Sequence, residues 1–554
     1  MAEESSTPRS IADDHLDRVA ALDPMVATWM GVNQGDARQL DLSSDGFDAR
    51  AALARRALAE LDAAPSVPGA AEEEVCARLL RERLTAELAV HEAGDHLRQL
   101  RIIGSPVQWV REIFTYMPTE TDEDWALVAG RMRNMAGALE GYRATLTEGI
   151  ARGLLAAPRQ AAAVADQYAA WTAADWFTGF VARGSDRLRP ELDAAARQAT
   201  AAVGEFGDWL RGSYLPAAEG SPDGVGRERY LRAARFCTGA DLDLDEAYDW
   251  AWSEFHRMNA ELRTEADRVL PGASPLEVVR YLDEHGHTVV GAEGIRVWLQ
   301  ELMDEAIEAL DGRHFDIAPP VRRVESLIAP EGSAAAPYYS GPSLDFSRPG
   351  RTYLPTLGRK AFPTWQLVSI WYHEGVPGHH LQLAQWNLVA DRLSRYQVSL
   401  GKVSATIEGW ALYAERLMDD LGFLTEPARR FGFLDEQMLR TIRVIVDIGM
   451  HLGLAIPADS GFHPGERWTP ALAAEFMAAY NGSPAEMRAS EIDRYLGWPG
   501  QAIGYKLGER AWLRGREVAR HRLGGAFDLK AWHMKALSQG SLGLDDLAGN
   551  LAAL

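Results

Sequence analysis

The chain has 554 residues, of which 47% are hydrophobic and 25% charged. That composition is ordinary for a globular protein and excludes wholesale disorder, a collagen-like rod or a coiled coil. Lys plus Arg number 57 and Asp plus Glu 79, a formal charge of −22, which argues against a nucleic-acid partner because such proteins carry a basic footprint. The two cysteines, Cys76 and Cys237, cannot form a disulfide framework. The acidic, polar N-terminus lacks the apolar core of a signal peptide. No uninterrupted apolar run of about 18 residues occurs. The expectation is a soluble, cytoplasmic protein with no membrane span.

In chain order, residues 1–14 read as a flexible tail. Residues 15–230 read as an N-terminal helical region. Within it, Leu79, Leu80, Leu84 and Leu88 recur at three and four, the period of an amphipathic helix. Pro106, Pro118 and Pro158 punctuate the helices. The Gly- and Pro-rich run at 219–229 predicts a long loop or boundary. Residues 231–554 read as a second region, which carries the chemistry. Helical pattern resumes from Leu242 to Leu310. Short β-prone runs follow at Val321–Leu327, Ala336–Tyr339 and Arg351–Leu354, which predict a small sheet or hairpins. From Thr364 to the end helices dominate, broken near Pro457–Pro464 and at Trp498-Pro-Gly500. The fold class is mainly α with a small β element.

The informative segment is Trp371-Tyr-His-Glu-Gly-Val-Pro-Gly-His-His-Leu-Gln382. Three of the 14 histidines fall within it. Thr364, after Pro363, is the predicted N-cap of the preceding helix. Zinc sites of the HExxH kind use two histidines one turn apart on one helical face, with the adjacent Glu as base. Here two residues are extra. In an unbroken helix His379 would lie about 120° away from His373, and His380 about 10 Å further along the axis. Neither arrangement lets both rings hold one ion through bonds of ~2 Å. Pro377 disfavours a regular helix, and Gly375 and Gly378 add freedom. A bulge at Val376–Gly378 would bring His379 to the position one turn after His373. His379 is therefore the expected partner ligand, with His380 as the alternative.

The third ligand is expected from Ile407-Glu-Gly-Trp-Ala-Leu-Tyr-Ala-Glu415. Glu408 and Glu415 are seven apart, on one helical face. A carboxylate in an apolar helix needs a partner, and a metal ion is one. Glu408 is the expected ligand. Glu415, at the start of the polar ERLMDD end, reads as a solvated or supporting acid.

Taken together, His373-Glu-Gly-Val-Pro-Gly-His-His, Glu408-Gly-Trp-Ala-Leu-Tyr and Trp498-Pro-Gly-Gln-Ala-Ile-Gly-Tyr-Lys506 resemble the bacterial domain-of-unknown-function 885 family, which is grouped with glutamate-type zinc peptidases. The resemblance covers most of the chain, with its specific motifs in residues 338–508. It implies a large, helical, two-lobed body with a deep cleft. It also implies His373, His379 and Glu408 as zinc ligands and Glu374 as base. Dipeptidyl-peptidase III type enzymes offer a similar lengthened motif, with one extra residue.

Further stretches can complete a site. Arg443, Asp447 and His451 are spaced by four, on one helical face. Arg443 is a candidate clamp for a substrate carboxylate, and His451 a candidate donor to a tetrahedral oxyanion. Tyr505 is a candidate oxyanion or leaving-group donor. The run from Tyr338, with Tyr339, is a candidate edge strand for pairing with an extended peptide. A rival cluster, Asp283-Glu-His-Gly-His287, reads as an exposed turn. There is no GxxxxGK[ST], GxGxxG or GxSxG motif, which removes kinase, dinucleotide and serine-hydrolase readings.

The expected function is a zinc-dependent hydrolase that cleaves short peptides through a metal-activated water. The alternatives are a zinc amidohydrolase acting on a non-peptide amide and a catalytically silent helical binding protein. The expected partner is a small peptide or amide substrate.

Overall fold

The leucines that repeat along the N-terminal region, Leu79, Leu80, Leu84 and Leu88, sit on one helix, Ala71–Glu92, and all four are buried. The computed structural model describes residues 7–32, 35–65, 70–330 and 336–554. The fold is mainly α, with five short strands among the described residues. No helix of the described residues is long and apolar enough to cross a membrane.

The chain divides into two compact units. One comprises Met1–Ser66, Arg83–Val225 and Ser490–Trp498; the other comprises Val67–Glu82, Gly226–Ala489 and Pro499–Leu554.

The first unit is helical. Pro106 and Pro158 each stand in the first turn of a helix, Pro106–Tyr116 and Pro158–Ala173, where a missing N–H costs nothing. Its core includes Val107, Val110, Ile113, Tyr142, Tyr168 and Phe206. The segment 490–498 belongs to this unit through specific contacts. Gln160 donates to the Asp493 carbonyl at 2.7 Å, and the Arg101 guanidinium lies 4.4 Å from the centre of the Trp498 ring. The expected tail is corrected here. A helix runs Pro8–Leu22, started by a capping box between Thr7 and Ser10 with Pro8 in the first turn. Residues 1–6 of that expectation lie outside the described residues. The predicted 219–229 loop is an irregular segment that ends where the helix Arg227–Thr238 begins.

The second unit holds the strands. Val324–Ile328 pairs in parallel with Gly350–Leu354, which pairs antiparallel with Tyr338–Ser340. Tyr338–Ser340 is thus an edge strand. Its register sets Tyr339 opposite Thr352, and the Tyr338 and Tyr353 rings stack at 4.7 Å. Residues 331–335, within the β-prone stretch, lie outside the described residues. A second pair joins Thr288–Val290 to Ala361–Pro363. The expected N-cap at Thr364 is corrected by this pairing. The Thr364 hydroxyl donates to the His287 carbonyl, and the helix begins at Leu367.

Two helix contacts position the site. The long helices Leu244–Val269 and Pro427–Leu452 pack along each other. Ser404–Asp420, which carries the Glu-Gly-Trp run, packs on Gly504–Leu523. That second contact is very close. A Cβ on Gly409 would meet the Gly508 Cα at 2.4 Å, and one on Gly508 would meet the Ala405 carbonyl oxygen at 2.1 Å. Only glycine permits such an approach of two helix backbones. The glycines of the two motifs therefore bring Glu408 and Tyr505 onto neighbouring helices.

Candidate metal centre

His373 and Glu374 end the short helix Leu367–Glu374. Its hydrogen-bonded run stops at Gly375, and a new helix, His379–Leu388, starts four residues later. Between them the chain makes a tight loop. Gly378 N–H donates to the Tyr372 carbonyl at 3.0 Å, and His380 N–H donates to the Gly375 carbonyl at 3.0 Å. The Val376–Pro377 peptide is cis. A Cβ on Gly378 would lie 1.9 Å from the His373 carbonyl oxygen, so this position admits glycine alone. The Trp410 indole N–H donates to the Pro377 and Gly378 carbonyls at 2.9 and 3.1 Å. The tryptophan of the Glu-Gly-Trp run thus ties down the loop. Trp371 anchors the first helix to the sheet by donating to Ser326 Oγ at 3.0 Å.

The loop brings the His373 and His379 rings to 4.7 Å between centroids, at 81°. Glu408 Oε2 lies 3.4 Å from His373 Nε2 and 3.5 Å from His379 Nε2. These three residues offer ligand atoms that all lie within 4.8 Å of one another, the one such group of three among the described residues. Glu408 Oε2 is shut off from solvent and has no hydrogen-bond partner. A buried carboxylate oxygen without a partner is costly, and a cation between the three would remove that cost. Two imidazoles and one carboxylate match the donor set of open zinc sites. The donors present therefore fit the ion that the resemblance implies.

His373 has a supporting partner on its far side. Its Nδ1 lies 2.7 Å from Glu415 Oε1, and Ser369 Oγ donates to Glu415 Oε2 at 2.6 Å. Glu415 is 1% exposed, so it is not a solvated acid. Of the two readings made from sequence, the supporting role fits. Burial pushes the His373 pKa down, but Glu408 and Glu415 on either side outweigh it and raise the value to about 9. Burial pushes Glu408 up, and the two histidines hold it well below the usual carboxylate range. Burial raises Glu374, against the pull of His379 and His373.

His380 does not face this group. Its Nε2 donates to the Val321 carbonyl at 2.6 Å, and its Nδ1 accepts from the Tyr339 hydroxyl at 2.9 Å. With both ring nitrogens engaged, no lone pair remains for a metal. Burial lowers its pKa to about 4, in keeping with a neutral ring. His379 Nδ1, by contrast, is buried without a partner.

The three residues and Glu374 border a cavity of about 410 Å³. Tyr338 and Tyr339 of the edge strand, Arg443 and Tyr505 also line it, together with Glu436 and Arg440. The Arg443 guanidinium lies 4.6 Å from the centre of the Tyr505 ring. Arg440 pairs with Glu436. Neither Glu436 nor Arg440 was among the residues singled out from sequence, although Arg440 stands three before Arg443 on the same helix, which is the signal that marks it.

His451 is the correction. It is absent from the cavity lining and is 2% exposed. Its ring packs against Tyr230 at 5.3 Å, and its Nε2 lies 3.7 Å from Asp447 Oδ1. Asp447 in turn accepts from the Tyr230 hydroxyl at 2.6 Å and from Gly500 N–H at 3.0 Å. The two extra turns between Arg443 and His451 carry the histidine past the cavity into the helix packing. The rival cluster forms no such group either. Asp283 accepts from the Trp365 indole at 2.9 Å, His287 bonds Thr364, and His285 is solvent-exposed.

The fold and the site's residues define the class: a mainly α protein built around a His-Glu, His and Glu cluster in a helical core. The chain matches the family described as "Bacterial protein of unknown function (DUF885)" over residues 24–551 and belongs to it. It is similar in fold to the crystal structure of a "putative lipoprotein" from Colwellia psychrerythraea, with a TM-score of 0.84, 21% identity, and coverage of 99% of this chain and 98% of that one. A "putative lipoprotein of unknown function" from Shewanella oneidensis is also similar, with a TM-score of 0.75, 18% identity, and coverage of 99% and 100%. No curated protein matches the chain.

Proposed function

We propose that the protein is a zinc-dependent hydrolase that cleaves amide bonds in short peptides. The observation that carries this reading is the convergence of His373, His379 and Glu408 beside Glu374 at the wall of one cavity. The three ligands would hold the ion through His373 Nε2, a His379 ring nitrogen and a Glu408 oxygen. When bound, zinc supplies Lewis-acid chemistry, lowering the pKa of water and polarising a carbonyl.

The chain's own residues do the rest. Glu374 is a carboxylate without a ligand role, and its oxygens take the proton from the attacking water and pass it to the leaving amine. Tyr505 faces the same cavity, where its hydroxyl can donate to the oxygen that becomes negative in the tetrahedral state. The edge strand Tyr338–Ser340 offers backbone groups to an extended substrate. The cavity size suits a ligand of a few residues and excludes a folded chain.

Cytoplasmic residence is proposed with this reading, because two cysteines in 554 residues are too few for a disulfide framework. Membrane attachment is the alternative, because both structural neighbours are described as lipoproteins; cell fractionation decides between them.

The test is made on two proteins. Purified wild type should carry about one zinc per chain and hydrolyse a short-peptide library. Glu374→Gln should keep the zinc and lose hydrolysis, since an amide cannot accept the proton. Zinc-loaded wild type that cleaves no peptide would leave the zinc amidohydrolase on a non-peptide amide, and a protein that holds no metal would leave the silent binding protein.

A further inference from the structure

The reading above leaves open what keeps a substrate in line with the histidines. The small sheet borders the cavity through Tyr338 and Tyr339, and each histidine helix is fastened to that sheet by one side chain. Trp371, two residues before His373, donates to Ser326 Oγ on the strand Val324–Ile328 at 3.0 Å. His380, one residue after His379, accepts from the Tyr339 hydroxyl on the edge strand at 2.9 Å. Its other ring nitrogen donates at 2.6 Å to the carbonyl of Val321, three residues before Val324–Ile328.

The second fastening is tightly built. The Val321 carbonyl can only accept, so Nε2 carries the hydrogen and Nδ1 keeps the lone pair that takes the Tyr339 proton. The His380 ring is fully buried and meets the Tyr339 ring edge-on, 5.6 Å between centroids at 71°. Gly350, on the strand between the other two, closes the triangle. A Cβ there would lie 2.6 Å from the Tyr339 hydroxyl oxygen and strike the His380 ring. Successive residues of one helix therefore face two ways. His379 borders the cavity with Glu408, and His380 holds the strand that forms part of the same wall.

Resting on the zinc-hydrolase reading, we propose that His380 is a positioning residue for an extended substrate. Through Tyr339 it fixes the distance between the edge strand, along which the peptide lies, and His379, which holds the ion. It touches neither the ion nor the peptide. The substrate class follows from the strand. Tyr338–Ser340 has three residues and spans about 10 Å, so peptides of about four residues or more gain from this register and a dipeptide does not.

Two amides dissect the imidazole. Asparagine places an oxygen near the position of Nδ1 and can accept from Tyr339, whereas glutamine places an NH2 near Nε2 and can donate to Val321. His380→Gln thus cuts the link to the edge strand and keeps the other, and His380→Asn does the reverse. The experiment uses the full-length, zinc-loaded protein with equimolar libraries of hexapeptides and dipeptides. Wild type should show the lower KM on the hexapeptides. His380→Gln and Tyr339→Phe should each keep the zinc and raise that KM by about fivefold, the scale of one hydrogen bond, while kcat changes by less than about twofold. The double variant should go no further, because both changes remove the same bond, and His380→Asn should recover most of the loss. Tyr339→Phe, which removes a single oxygen, carries the test if the histidine variants fold poorly. Equal KM on the two libraries in wild type, a fall in kcat in place of the rise in KM, or additive losses in the double variant would mean a merely structural histidine and overturn the proposal. Hydrolysis itself would still uphold the zinc-hydrolase reading. A second readout is independent of turnover. Hexapeptide binding to Glu374→Gln, measured by calorimetry, should weaken by about fivefold when His380→Gln is added. Unchanged affinity, or no binding at all, overturns the proposal even if wild type proves inactive. Weakened binding in a protein that cleaves no peptide would instead sink the peptide-hydrolase reading alone.

Discussion

Glu408 and Glu415, seven residues apart on one helix, meet the two nitrogens of a single imidazole. The pair divides the labour at His373. Glu415 accepts a hydrogen bond from Nδ1–H, which leaves the lone pair on Nε2, the nitrogen that lies toward Glu408. Such outer carboxylates typically contribute 10- to 100-fold in metal affinity. Glu415→Gln should therefore weaken zinc binding by about that factor, read by competition with a chelating indicator; unchanged affinity would make Glu415 a packing residue only. The two adjacent histidines give a second expectation at this scale. His379→Ala should lose zinc far more severely than His380→Ala, because His380 is held between Val321 and Tyr339. The reverse ranking, by metal analysis of the purified variants, would move the ligand to His380. The sequence restricted the choice to these two but left it open, because the direction of a ring depends on carbonyls and hydroxyls far away in the chain. Glu415 was read as a solvated or supporting acid for the same reason. Its polar neighbours in ERLMDD suggested exposure, while the burial comes from the helix packed above it.

At the scale of elements, the legible features were those that local sequence dictates. The helices, the three β-prone runs and the loop at 219–229 follow periodicity and turn residues, and Pro377 between two glycines announced a break in the histidine helix. Less legible was what holds the break in shape. Trp410 reaches the loop from 33 residues away, and the Gly409–Gly508 approach joins two motifs nearly a hundred positions apart. Spacing within one helix was a poorer guide. It put Arg443 and His451 on one face, but the helix carries the second past the cavity. The loop makes its own prediction. Gly378→Ala would drive a methyl into the His373 carbonyl, an overpacking strain of about 1–3 kcal/mol or more. The variant should unfold at lower denaturant and retain little zinc. Wild-type stability would show that the loop can widen, and then the link between loop shape and ligand geometry fails.

At the scale of the whole molecule, an ion held at this site would be linked to folding. An ion that binds the native state alone stabilises it by about 2.7 kcal/mol at a free concentration 100 times its dissociation constant. Stripping with a chelator should lower the thermal midpoint, and added zinc should restore it. His373→Ala should respond to neither treatment, and a wild type indifferent to chelation would argue that no structural ion is held. Calorimetry on all three samples provides the comparison. Two units are present, so the shift should fall on the transition of the unit that carries the ligands, Gly226–Ala489 with its companion segments.

The division of the chain has one more consequence. The first unit draws its last segment, 490–498, from near the far end of the sequence. Synthesis on the ribosome proceeds from the N-terminus, so Gln160 and Arg101 wait for Asp493 and Trp498 until most of the protein has been made. The part of the molecule that is translated first is among the last to be finished. A nascent chain stalled before residue 490 should accordingly expose the docking site of that segment to proteases and chaperones, and release beyond residue 498 should close it.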